Sequence, residues 1–178
     1  MIQSNTSLVH FVFELFNDSK FFLNEAKKFD ESSKTSQKYL RASILSAWAG
    51  FEGWINKTCF DFAKTYNDLT EHEIAFLLEK RVELKDGNFK KTNSDKFESV
   101  ENRLEFLLKR IGNYSIDKST QHWNSFKNIK KIRDTIVHPK GTVNTDLKIK
   151  VTNETLQTLN YYLELAGKKL YGKKIKKF

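Results

Sequence analysis

One proline, one cysteine, one methionine and seven glycines in 178 residues leave this chain few ways to break a helix and no way to form an internal disulfide. Scarce Pro and Gly favour long helices, because these are the residues that terminate them. The lone Cys59, in the stretch "NKTCFDF", cannot build a Cys-based metal site and reads as a small core residue in a reducing compartment. There is no H-E-x-x-H, no Walker loop, no G-x-G-x-x-G and no G-x-S-x-G. Nothing in the sequence therefore points to a metal or an organic cofactor. The opening "MIQSNTSLVHFVFELF" has no basic n-region, and His10 and Glu14 interrupt its apolar run. It reads as neither a secretory signal nor a membrane span, and a cytoplasmic location is expected.

What the chain does have is apolar mass: 39% hydrophobic residues, with fifteen Phe. That argues for a packed core, and the length suits one domain spanning 1–178. The apolar periodicity predicts helices over about 6–29, 35–66, 70–81, 95–112, 119–138 and 153–170, giving an all-α, single antiparallel bundle of five to six helices. Thr70-Glu71-His72-Glu73 is a capping box, and Asp95 with Glu98 repeats the logic with an Asp cap. "KDGN" at 85–88 is a turn signal that fits a small hairpin near 84–91. "GTVNTDLKIKV" (141–151) has room for a short extended piece, and about 167–178 forms a Lys-rich tail.

Charge is unevenly spread. Residues 1–117 hold 17 Lys+Arg against 18 Asp+Glu, whereas 118–178 hold 14 against 4, so the net +9 is a C-terminal excess. A basic field confined to one region favours a polyanionic partner, RNA or DNA first and an anionic membrane surface second. A solvated surface that keeps the protein soluble is the alternative.

Two charges fall where a helical wheel is apolar. In 119–138, Phe126, Ile129, Ile132, Ile136 and Val137 form the apolar face and Arg133 lies within it, while Lys127, Lys130, Lys131, Asp134 and His138 lie opposite. In the second helix Leu45, Trp48, Ile55, Cys59, Phe62 and Ala63 share a stripe with Glu52 at its middle; Ser43, Ser46, Ala47 and Gly50 on the other side allow close approach of another helix. An unpaired buried Arg is costly. Glu52 and Arg133 are therefore expected to meet, either as a purely structural ion pair or to fix the guanidinium for a task. His138 precedes the only proline, Pro139, which must end the helix and leave the imidazole at its C-terminus. The partial negative charge there favours the imidazolium, and Asp134, one turn earlier, is placed to accept its N–H.

At "IRDTIVHPKG" the chain resembles HEPN domains, in which an Arg, a polar residue and, four to six residues on, a His close a late helix. Arg133, Asp134 and His138 match these positions, with Asp134 where many members carry Asn. "ASILSAWAGFEGWINKT" (42–58) is similar to the family's long second helix with its inward acid, here Glu52. The resemblance implies a metal-independent endoribonuclease, commonly a toxin or antiviral defence effector, acting as a homodimer with an RNA substrate. His138 would be the general acid or base, and Arg133 would bind the scissile phosphate. Asp134 would set the imidazole tautomer and Glu52 would anchor Arg133. Lys127, Lys130, Lys131 and Lys140 would hold flanking phosphates. Two other readings remain open. One is a non-catalytic RNA- or nucleotide-binding HEPN module. The other is a regulatory helical partner of a nucleotidyltransferase, with an antitoxin as a related possibility.

Overall fold

The computed structural model of the chain describes residues 8–139 and 146–172, without the side chains of Leu8 and Val9. Among the described residues the order is α1 (Leu8–Ala26), α2 (Lys34–Thr65), α3 (Glu71–Leu77), β1 (Lys80–Lys85), β2 (Asn88–Asp95), α4 (Val100–Phe106), a π-helical turn (Leu107–Ile111), α5 (Gln121–Val137) and α6 (Ile149–Tyr171). The class is all-α with one two-stranded hairpin. No described helix is long and apolar enough to cross a membrane. The chain divides into two units, Met1–Phe51 with Ile116–Phe178, and Glu52–Ser115; α2 contributes residues to both.

The first unit is built from α1, the first half of α2, α5 and α6. The small side chains expected on one face of α2 let α1 come close. Ser19 Oγ donates to the Ser43 carbonyl at 2.8 Å and Ser43 Oγ donates to the Ser19 carbonyl at 2.8 Å, a buried reciprocal clasp between two helices. Two turns on, Gly50 lies against the Phe16 ring, and a Cβ there would sit 3.0 Å from two ring carbons. Phe16 is itself buried, so the ring has little room to give. On the other side of α2, Trp48 and Phe51 pack on Phe126 of α5, with ring centroids 5.8 and 5.6 Å apart, and Phe126 meets Tyr162 of α6 at 5.2 Å. Burying Phe126 contributes about 2–3 kcal/mol. Each favourable ring pair adds about 0.5–1.5 kcal/mol.

α6 has no side-chain cap of its own at Lys148; its start is held by Glu31 of the α1–α2 loop and Gln37 in the first turn of α2. Glu31 Oε1 accepts from the Ile149 N–H at 2.7 Å, and the Gln37 amide pairs with both backbone groups of Leu147 at 2.9 Å. The Ile149 N–H draws the Glu31 carboxyl below its ordinary value, partial burial opposes this, and Lys148 assists it. An acid at a helix N-terminus also satisfies an otherwise orphan donor. α6 begins a turn earlier than the expected 153, so the 149–151 part of the expected extended piece is helical. Residues 141–145 of that piece lie outside the described residues. The tail expected from 167 is helical to Tyr171, where Gly172 closes it in the left-handed conformation; 173–178 lie outside the described residues.

In the second unit the Thr70–Glu73 capping box forms in full. α3 ends at Leu77, however, short of the expected 81. Glu79, at φ 53°, turns the chain out of the helix and into β1. β1 and β2 pair antiparallel through a two-residue turn in which Asp86 and Gly87 both have positive φ, the geometry a tight hairpin demands. The hairpin spans 80–95, longer than the expected 84–91. Asp95 consequently ends β2 and pairs with Lys80 rather than capping a helix. The cap of α4 is Ser99, whose Oγ accepts from the Asn102 N–H at 3.1 Å. Behind the hairpin, α4 buries Arg103, and Nη1 of that side chain reaches Glu79 Oε2 at 3.2 Å. Cys59 is buried as expected, and burial pushes its thiol up to about 12, against the pull of the nearby Arg103 charge.

Candidate functional site

The C-terminal half of α5 carries the candidate residues. The helix starts at an Asp117–Thr120 turn: Asp117 Oδ1 accepts from the Ser119 Oγ and N–H at 2.6 and 2.9 Å, and Thr120 Oγ1 caps the Trp123 N–H. Trp123, Phe126 and Ile129 are buried, which fixes the rotation of α5 about its axis. That rotation places Ile132, Arg133 and Ile136 at the margin of the core, each half-buried. Val137, expected on the apolar face, is 42% exposed. The helix ends at this residue.

Arg133 is inward-facing but not sealed, with 27% of its side chain exposed. Its guanidinium carbon lies 6.0 Å from the centre of the Trp48 ring, within range of a cation–π attraction. Its Nη1 donates to Asp134 Oδ1 at 3.0 Å, while Lys130 Nζ donates to Asp134 Oδ2 at 3.2 Å. Partial burial pushes the Asp134 carboxyl up. The hydrogen bonds from Arg133 and Lys130, with their charges, outweigh that effect and hold it below its ordinary value. Asp134 is thus a carboxylate shared between two cations.

His138 is the C-cap of α5, at φ −126° and ψ 65°, and its backbone N–H donates to the Asp134 carbonyl at 2.8 Å. The helix stops where the proline was expected to stop it. The imidazole is exposed, and among the described residues its ring makes no hydrogen bond. Asp134 was expected to accept from that ring. Both its oxygens are instead engaged by Arg133 and Lys130, because these side chains flank the carboxylate on the same helix while the backbone at His138 has already left it.

Lys127 and Lys131 are exposed on the outer side of α5, and Lys130 is half-buried beside Asp134. Lys140 lies outside the described residues. Glu52 is half-buried on α2, in the other unit, so its expected pairing with Arg133 stays an expectation. The residue that sequence reasoning left out of the site is Trp48. The signal was present: on the wheel it sits one turn before Glu52 on the same stripe, where a flat ring facing an inward Arg is a natural partner.

This arrangement can bind an anion. A guanidinium steadied by an indole and a carboxylate, with an exposed imidazole five residues on and lysines along the same helix, suits a phosphodiester. Among the described residues no group of three or more His, Cys, Asp or Glu side chains is placed to hold a metal ion. Compared with models of known protein families, with curated proteins and with solved structures, the chain matches none.

Proposed function

We propose that the chain is a metal-independent endoribonuclease of the HEPN type, a toxin or antiviral defence effector that cuts RNA with Arg133 and His138. The observation that carries the reading is the pose of Arg133, half-buried against Trp48 and bonded to Asp134. It is paired in sequence with a histidine at a proline-broken helix end. In the proposed reaction the ribose 2′-oxygen attacks phosphorus and the P–O5′ bond breaks. His138 takes the 2′ proton or delivers one to the departing 5′-oxygen, water serving the other transfer, and the products are a 2′,3′-cyclic phosphate and a 5′-hydroxyl. Arg133 meets the charge that builds on the phosphoryl oxygens. Asp134 orients the guanidinium. The Glu52 anchor, the homodimer and the contribution of Lys140 are carried over from the resemblance. DNA, lacking the 2′-hydroxyl, is not cut.

The test is cleavage of an end-labelled RNA in excess chelator. Wild type is expected to yield cyclic-phosphate ends, and both Arg133→Ala and His138→Ala are expected to abolish them. Loss of cutting in chelator, or a fully active His138→Ala, refutes the proposal. One observation favours a second reading, a non-catalytic RNA- or nucleotide-binding module: nothing among the described residues orients the His138 ring. Tight RNA binding without cleavage by any form of the protein would decide for it.

A further inference from the structure

None of the proposed cleavage residues lies on the β1–β2 hairpin, yet the hairpin and the residues just after it leave three large apolar side chains in solvent. Leu84 is 66% exposed, Phe89 54% and Phe97 81%. Leu84 and Phe89 face each other across the strands, so they share one side of the ribbon. The Phe89 ring meets the His72 ring of α3 edge-on at 4.5 Å, which steadies it without covering it. Side chains left this exposed gain little hydrophobic stabilisation from folding.

Cations adjoin the rings along the chain; in the strand register Lys90 lies opposite Glu83 and Lys85 opposite Asn88, on the other side of the ribbon from Leu84 and Phe89. The sequence reads Phe89-Lys90-Lys91 and Lys96-Phe97, an aromatic beside lysine at both ends of β2. Residues 80–97 hold six Lys and Arg against three Asp and Glu, a local +3 inside a stretch, 1–117, that sums to −1. Lys80 pairs with Asp95 and Lys96 with Glu98. The side chains of Arg81, Lys85, Lys90 and Lys91 form no ion pair among the described residues, although the Arg81 Nε donates to the Asp95 carbonyl and the Lys91 backbone N–H donates to Glu71 Oε2, each at 3.4 Å. A ribbon with net positive charge and exposed rings is complementary to a flexible polyanion whose bases are free to stack.

We infer that the hairpin is a binding element for single-stranded nucleic acid, distinct from the residues on α5. Phe89 and Phe97 stack unpaired bases, and Arg81, Lys85, Lys90 and Lys91 neutralise the phosphates between them. The choice of RNA over DNA rests on the proposed nuclease reading; the binding chemistry does not.

The test uses the full chain and a fluorescein-labelled, fully 2′-O-methylated RNA of about a dozen nucleotides, a length typical of single-strand sites. Such an RNA cannot be cut by 2′-hydroxyl attack, so fluorescence anisotropy reads binding alone. Phe89→Ser and Phe97→Ser are each expected to weaken binding about fivefold or more without changing its salt dependence. The Lys90→Glu, Lys91→Glu double variant should flatten the slope of log affinity against log salt by about 1.4, the loss of two phosphate contacts. These side chains are exposed, so the variants keep their fold. An oligo-dT of equal length reports whether ribose matters: equal binding makes the site general for single strands, and weaker binding makes it RNA-selective. Unchanged affinity in all three variants overturns the inference. So does loss of binding to a polyglutamate chain with RNA binding intact, which would make the ribbon a protein-docking surface. If wild type leaves cleavable RNA intact while hairpin variants lose binding, the nuclease reading falls and this one stands; the converse result separates them the other way.

Discussion

Replacing Arg133 separates a structural role from a chemical one, because its surroundings allow the structural part to be sized. The contacts that can be sized are a charge-assisted hydrogen bond to Asp134 at 3.0 Å and the approach of the guanidinium carbon to 6.0 Å from the Trp48 ring centre. With 27% of Arg133 and 40% of Asp134 exposed, solvent screens the pair. It is worth no more than about 1 kcal/mol. The cation–π contact adds about 0.5–1 kcal/mol. Arg133→Ala is therefore expected to cost about 1–2 kcal/mol in stability, or a Tm lowered by roughly 3–6 °C for a chain of this size. Arg133→Lys keeps the charge and the contact with the ring, so its Tm should fall by less than half as much. Catalysis should respond differently. Losing the planar fork that meets two phosphoryl oxygens is expected to reduce kcat/KM for RNA about 10²–10³-fold in Lys as well as in Ala. The assay pairs thermal unfolding with single-turnover RNA cleavage. If Arg133→Lys cuts at the wild-type rate, or if cleavage in both variants falls only in proportion to the folded fraction, Arg133 is a packing residue and the reasoning fails.

Further expectations follow from the two units. Cys59, buried with its thiol pushed up to about 12, should not react with a disulfide reagent at mildly alkaline pH until the protein is denatured; reaction at the rate of a free thiol would place it at the surface. Glu31 has a depressed folded value, so its support for α6 is complete above the unfolded value near 4.5 and is lost as pH falls through the depressed one. Glu31→Gln should accordingly lower Tm at neutral pH, and the two proteins should converge in acid; a gap that persists unchanged at low pH would show that the carboxylate is not the cap. Ser99→Ala should cost about 1 kcal/mol. Asp95→Ala should cost no more than about 0.5 kcal/mol, since it loses only an exposed pair. The reverse order in chemical denaturation would restore Asp95 as the cap.

The helices were legible because what makes them is local. Scarce breakers and an unbroken apolar period placed α2 at 35–66, against an observed Lys34–Thr65, and Pro139 placed the end of α5 at His138. The Thr70–Glu73 box and the Asp86–Gly87 turn were likewise readable, since each depends on residues within four positions of one another. The hairpin strands were harder to read. Nearly all their side chains are exposed, so no inside–outside alternation marks them, and the apolar residues before them extended the expected α3 too far. Once β2 ran to Asp95, the apparent Asp cap had no helix to start.

In the site, the inward turn of Arg133 came from periodicity, and its half-burial from the packing of Trp48 and Phe126. The sequence by itself determined which stretches wind into helices, where α5 must stop, and that an arginine would turn toward the core five residues before a histidine. These follow from backbone propensity and a fixed 100° step, which act over a turn or two. Only the tertiary structure decided that Asp134 serves Arg133 and Lys130, that Gln37 grips Leu147 across 110 residues, and that Arg103 is buried with Glu79. Those pairings compare partners far apart in the chain or alternative rotamers at one position, and packing chooses among them only once the core has closed.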